Sequence, residues 1–335
     1  MPGTKELKTR IKSIQGMRKV TKAMQMVSAA KMRKAQTAVV NSRTYAGLAW
    51  ELVGSLMPAS SGVILRSAAD EGSQDADSSD ALRMTPSLNL LKQFPNAKKV
   101  GVIVLSTNRG LVGSLNSNLI NKIKEVDGGN GIKGNDGTHE TIAELIVYGK
   151  KAKVIAQRMG KNIMADFTKL DKTITTEDIF PLAKLITDSY LTGEYKKIVI
   201  VYNHYVSTAV QKPTVKQLLP FGETSAKGVG LSAKSEQTEL SPNPLALSAQ
   251  ADFLFEPTPT QVLEHLLPRI IESQLYQTIL ESDASEHSAR MIMMKNATDA
   301  AGDLVGDLTL TYNRLRQGKI TTELAEITAG RIALE

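Results

Sequence analysis

From His287 to Leu315 the chain carries a single seam: His287, Met291, Met294, Thr298, Ala301, Val305, Leu308, Tyr312 and Leu315. The steps alternate four and three without a break, a seven-residue repeat held over four heptads. That period specifies a helix packed along a second helix with left-handed supercoiling. After Leu315 the phase breaks, and apolar residues resume at Ile320, Leu324 and Ile327. Such a break marks the point where the partner helix ends. Between Thr260 and Arg331 the only proline is Pro268.

The partner lies at the other end of the chain. From Thr4 to Met57 there is no proline, and Gly16, Gly47 and Gly54 are the only glycines, until Pro58 is predicted to end the run. Roughly 54 helical residues span about 80 Å, too long for a globular helix and suited to a stalk. Two long terminal helices around a globular middle predict an antiparallel pair, with the last ~20 residues projecting beyond Met1 as a single helix.

The first helix is also cationic. Residues 1–40 hold Lys5, Lys8, Arg10, Lys12, Arg18, Lys19, Lys22, Lys31, Arg33 and Lys34 against one acid, Glu6. This is +9 in a chain whose net charge is +7, which leaves −2 for everything after residue 40. Leu7, Ile11, Ile14, Met17, Val20, Met24 and Val27 run between the charges at spacings of three and four, which predicts one apolar helical face. A solvated stalk face, a nucleic acid or an anionic protein would each satisfy the cations. The continuous apolar seam and the absence of stacking aromatics favour a dedicated anionic protein partner; a nucleic-acid-binding coiled-coil protein is the alternative. A basic amphipathic start is also a feature of mitochondrial presequences, but here the pattern continues for about forty residues into a longer helix.

Composition narrows the remaining choices. Aromatic content is 4% with one tryptophan, Trp50, which suits long helices better than sandwiches. There is no cysteine, so disulfides, thiolate nucleophiles, cysteine metal sites and thiol switches are excluded. The longest apolar runs, Val100–Leu105 and Ile198–Tyr202, are strand-length, far short of the ~18–20 residues that cross a bilayer.

In the middle, Lys98–Thr107, Ala143–Tyr148, Lys196–Ser207 and Val210–Leu219 read as strands. Leu115–Val126, Ala152–Met159 and Thr176–Leu191 read as helices. Strands alternating with helices predict a parallel sheet. The fold class is therefore α/β: a long antiparallel coiled coil of the N- and C-terminal helices plus a central Rossmann-like α/β domain. The expected units are a first helix over 1–57, a linker over 58–97, the α/β domain over 98–258 and a last helix over 259–335. Residues 66–87, acidic and rich in Ser and Asp, read as a disordered insertion; 127–139 and 222–250 read as flexible polar loops.

Chemical motifs are few. STNRGLVGSLN (106–116) follows a strand and opens a helix, where Gly110 and Gly113 would let backbone N–H groups approach a phosphate. Its G-x-x-G spacing lacks a third glycine, and no Lys-Ser/Thr follows, so it reads as a tight strand-to-helix turn. His139, His204, His265 and His287 show no metal-ligand spacing. His287 reads as a polar interruption that sets register on the seam. Glu281, Asp283 and Glu286 crowd one turn and read as a solvated face rather than an acid/base pair. No triad or nucleophile elbow is present. Catalytic, cofactor and metal residues are expected to be none.

Two segments carry a family resemblance. TKELKTRIKSIQGMRKVTKAMQMVSAAKMRKAQ (4–36) resembles the opening helix of the ATP synthase gamma subunit, and ASEHSARMIMMKNATDAAGDLVGDLTLTYNRLRQGKITTELAEITAG (284–330) resembles its closing helix. STNRGLVGSLN resembles that family's strand–turn segment. The resemblance implies a noncatalytic rotor whose coiled coil sits within three alpha and three beta subunits, the beta subunits holding the catalytic ATP sites. It implies one copy per complex, with the α/β domain on the membrane c-ring and bound to the epsilon subunit. By motif position, Met24, Lys31 and Arg33 match the segment facing the beta subunits' acidic lever, and Arg316 and Gln317 match the upper contact with beta. Lys8, Arg10, Lys12 and Lys19 complete the expected partner-binding face. The resemblance begins at Thr4, which implies a bacterial protein without a transit peptide, on the cytoplasmic face of the inner membrane. The redox insertion of the chloroplast version carries cysteines, so that control is not expected here.

Overall fold

The computed structural model describes residues 4–69, 86–91, 94, 97, 99–127, 142–169, 174–221 and 258–332. Two helices dominate it: α1, Thr4–Ala69, and α5, Pro259–Ile332. Between them lie β1 (Lys99–Leu105), α2 (Leu115–Asp127), β2 (Ile142–Tyr148), α3 (Lys150–Arg158), β3 (Asn162–Phe167), α4 (Phe180–Leu191), β4 (Tyr195–Tyr205) and β5 (Gln211–Leu219). The expected disorder of 66–87 concerns residues that are mostly outside the described set, as do the loops expected at 127–139 and 222–250.

The five strands form one sheet in the order β3-β2-β1-β4-β5. The first four are parallel, and both faces are covered, as parallel sheets require. Val100, Val102, Val104, Leu145, Val147, Val199 and Val201 point to α2 and α3. The alternate residues Ile103, Leu105, Ile146, Tyr148, Ile198 and Ile200 point to α4 and to the first half of α5, through Leu263, Leu267, Ile270, Ile271 and Leu275.

Three expectations change. The sheet is mixed, because β5 pairs antiparallel with β4. Only the short turn Val206–Val210 joins them, and a connection that short permits a hairpin alone. Pro213 fits there because β5 is an edge strand. Helix α4 begins at Phe180 rather than Thr176, with Pro181 in its first turn and Asp178 accepting from the Thr175 N–H and hydroxyl just before it. Helix α1 runs past Pro58 to Ala69. A proline removes one ladder bond and strains one turn, which a long helix tolerates at a cost of about 3 kcal/mol.

Beyond the sheet, α1 and α5 pair antiparallel. The Thr298 hydroxyl donates to the Thr21 hydroxyl at 2.8 Å, and Gly302 lies beneath the Arg18 guanidinium. This register brings Leu315 level with Thr4. All described residues from Arg316 onward are exposed, so the end of α5 stands alone.

The seam on α5 is the covered one, from His287 through Met294 and Thr298 to Leu315. On α1 the covered positions are Leu7, Ile11, Ile14, Thr21, Gln25, Ser28, Met32, Ala35 and Val39. They keep the same heptad phase, passing through Arg18. Met17, Val20 and Val27, expected on the seam, are instead 57–60% exposed. Polar and small residues hold the seam where it meets Thr298, and the apolar residues flank it.

Candidate functional site

The C-terminal ends of the parallel strands converge on one stretch of α5. Strand order reverses between β1 and β4, the place where open α/β sheets form a ligand crevice. Here α5 fills it. The Ser285 hydroxyl donates to the Asn203 carbonyl at 2.8 Å, and the Ser288 hydroxyl to the Thr208 carbonyl at 2.6 Å. On the β1 side, Arg290 Nη2 reaches the Gly110 carbonyl at 3.4 Å.

STNRGLVGSLN is accordingly a turn that grips the helix. Leu111 and Gly113 both have positive φ, 63° and 61°. A β-carbon on Gly113 would lie 3.1 Å from the Met293 sulfur, so the glycine allows close approach. The Asn108 side chain donates to the Lys169 carbonyl at 2.7 Å and accepts from the Lys150 N–H at 3.2 Å, knitting three strand ends together. The Asn116 amide donates to the Thr107 hydroxyl at 2.9 Å.

The acidic turn of α5 is buried, not solvated. Lys169, which follows β3 and is 8% exposed, places its ammonium 2.5 Å from Asp283 Oδ1 and bonds Glu286 Oε2. Arg290 Nη2 takes the other oxygen of Glu286 at 2.7 Å. Nearby, His204 Nδ1 meets Glu281 Oε2 at 2.7 Å. The cations arrive from elements remote in sequence, so local pattern alone reads this turn as solvated.

Burial sets the protonation behaviour of the cluster. It works to lower Lys169, but the carboxylates of Asp283 and Glu286 more than reverse this and keep the ammonium charged. Burial pushes Asp283 up against the pull of Lys169. It pushes Glu286 the same way, yet Lys169 and Arg290 together hold that carboxyl below its ordinary range. Burial lowers His287 to about 4, leaving a neutral ring on the seam.

The residues expected to meet partners lie along the rod. Lys8, Arg10, Lys12, Lys19, Lys31 and Arg33 are exposed and form no ion pair with a described residue, while Met24 is half-buried beside the seam. Lys31 stands close enough to the buried cluster to act on Asp283 and His287. Arg316 and Gln317 are exposed where α5 leaves its partner, about 30 Å along the axis from Met24. Pattern reading overlooked Lys169, Asn108 and Arg290. Only the Glu286–Arg290 spacing of four carries a local signal.

A two-helix rod rooted in the ligand crevice of an α/β sheet defines a stalk protein. A family model described as ATP synthase matches residues 3–334. The "ATP synthase gamma chain" of Roseiflexus castenholzii is 36% identical over 334 residues, covering 100% of this chain and 99% of the relative. Those of Xylella fastidiosa and Heliobacterium modesticaldum are also 36% identical, with full coverage of both partners. Among solved structures, the rotor of the Euglena gracilis mitochondrial ATP synthase is similar with a TM-score of 0.55 at 18% identity, covering 95% of this chain and 98% of that one. The central stalk of the Tetrahymena thermophila enzyme gives 0.52 at 20% identity, covering 83% and 99%. The chain belongs to the ATP synthase gamma chain family. That membership leaves the nucleic-acid reading without support.

Proposed function

We infer that this chain is the central-stalk rotor of an ATP synthase, one copy per complex, carrying torque between a membrane c-ring and a ring of three alpha and three beta subunits. The observation that carries this reading is the rod itself in a member of this family. Its first helix is cationic and its tip is a single exposed helix. Its two flanks are electrically unlike. Asp299, Asp303 and Asp307 form an exposed acidic ridge on α5, while Lys8, Lys12 and Lys19 line α1. As such a rod turns, each stationary site around it meets a different charge and shape at each angle.

In this reading the chain performs no chemistry of its own. The α/β body sits on the c-ring and binds the epsilon subunit, so ring rotation enters through the sheet and leaves through the coiled coil. Lys8, Arg10, Lys12, Lys19, Met24, Lys31 and Arg33 face the beta subunits in turn, with Arg316 and Gln317 making the upper contact. No described helix is long and apolar enough to cross a membrane. Attachment through the c-ring on the cytoplasmic face of a bacterial inner membrane is compatible with that. Co-expression with alpha and beta subunits tests the assignment. The expected result is an ATPase holding one copy of this chain per three alpha and three beta; recovery of the chain alone would overturn it.

A further inference from the structure

We propose that Lys169 is a torsional key, a positioning residue that fixes the rotational phase of the rod relative to the α/β body by holding Asp283 and Glu286 together. The torque-bearing part of this inference rests on the rotor reading; the mechanical part rests on geometry alone.

At its root α5 is gripped from two sides. Ser285 and Ser288 are bonded to the β4 end. Asp283, Glu286 and Arg290 are bonded to the ends of β3 and β1. At 3.6 residues per turn these two sets point about 160° apart around the helix. A grip on opposite sides resists twist, whereas apolar contact along one face does not.

The charged side is the stiffer of the two. Carboxylates of α5 sit about 5–6 Å from the helix axis, so a 20° twist moves them about 2 Å, beyond hydrogen-bond range. The Lys169 ammonium hydrogen-bonds Glu286 and ion-pairs with Asp283 a turn away, so rotation in either direction separates it from one of them. It is 8% exposed, so water cannot replace a broken contact cheaply. Lys169 is itself fixed through its carbonyl, which accepts from Asn108 in the loop that also holds Arg290. The key therefore joins the rod to two strand ends at once.

The cysteine-free chain allows a direct test. Spin labels at Leu310→Cys on the rod and Lys124→Cys on α2, both exposed, report the rod–body distance distribution in the isolated full chain by double electron–electron resonance. Lys169→Met is expected to widen that distribution at least twofold, and Lys169→Arg to leave it narrow. An unchanged width in a folded Lys169→Met chain overturns the proposal. If Lys169→Met does not fold, the triple variant Lys169→Met/Asp283→Asn/Glu286→Gln removes the charges together; a width equal to that of the unsubstituted chain would again overturn it. In the assembled ATPase, Lys169→Met is expected to lower torsional stiffness at least twofold while hydrolysis stays within twofold. Failure of the unsubstituted chain to assemble would count against the rotor reading, and unchanged stiffness in an assembled variant against the key.

Discussion

His287 on the rod and Gly149 between β2 and α3 show how much single residues carry. The folded His287 titrates near 4, against 6.5 for an ordinary histidine. The folded chain thus excludes a proton that the unfolded chain binds. The resulting stability is complete above pH 6.5 and is lost as pH falls toward 4. Asp283, raised by burial, acts with the opposite sign and offsets part of the loss. The net effect is smaller than the roughly 3 kcal/mol that the shift of His287 alone would give. His287→Gln should flatten the stability–pH curve across this window in chemical denaturation. An unchanged slope would assign it to other groups. Gly149 has φ 98°, and a β-carbon there would lie 2.6 Å from the Ser106 carbonyl oxygen. Gly149→Ala should therefore cost about 2–4 kcal/mol, measured by thermal unfolding.

The long elements were the most legible in sequence and the short ones least. The heptads from His287 to Leu315 predict the covered face of α5 because a 3.5-residue period admits few other solutions. On α1 the same reasoning chose apolar residues and so drifted to Met17, Val20 and Val27. The true seam passes through Thr21, Gln25 and Ser28, and is recognised only from what faces it. Strand β3 went unread because half of its six residues are exposed and its inward set is only Ile163, Ala165 and Phe167. The buried charges of α5 were illegible for a related reason, since Lys169 lies more than a hundred residues upstream. The polar seam supports a test of its own. Thr298→Val alone should cost about 1 kcal/mol by removing the bond it donates to Thr21, whose own hydroxyl keeps the Arg18 carbonyl at 3.0 Å, and Thr21→Val/Thr298→Val together should cost less than the sum of the two single losses. A double-variant loss equal to the sum of the two single losses would show that the hydroxyl pair is not coupled.

For the whole molecule, the basic face should act collectively. Tight pairs at one angle would trap a rotor, and exposed pairs are worth ~0–1 kcal/mol each, weak enough to slide. Any one removal among Lys8, Arg10, Lys12, Lys19, Lys31 and Arg33 should cost little proton pumping, while several Glu replacements together should weaken coupling or assembly. One substitution that abolishes pumping alone would point instead to a specific latch. Met24→Lys is the converse case. A new charge beside the seam would attract an acidic lever by about 1–2 kcal/mol in one rotary state and slow passage roughly five- to thirtyfold.

The central claim is that rod and body turn together as one shaft inside a stationary ring. The direct measurement is single-molecule rotation: alpha and beta subunits fixed to a surface, and a probe on Lys124→Cys in the exposed face of α2. With ATP, the account predicts sustained rotation of the probe in one direction with three pauses per turn. Steady ATP hydrolysis with a stationary probe would contradict it.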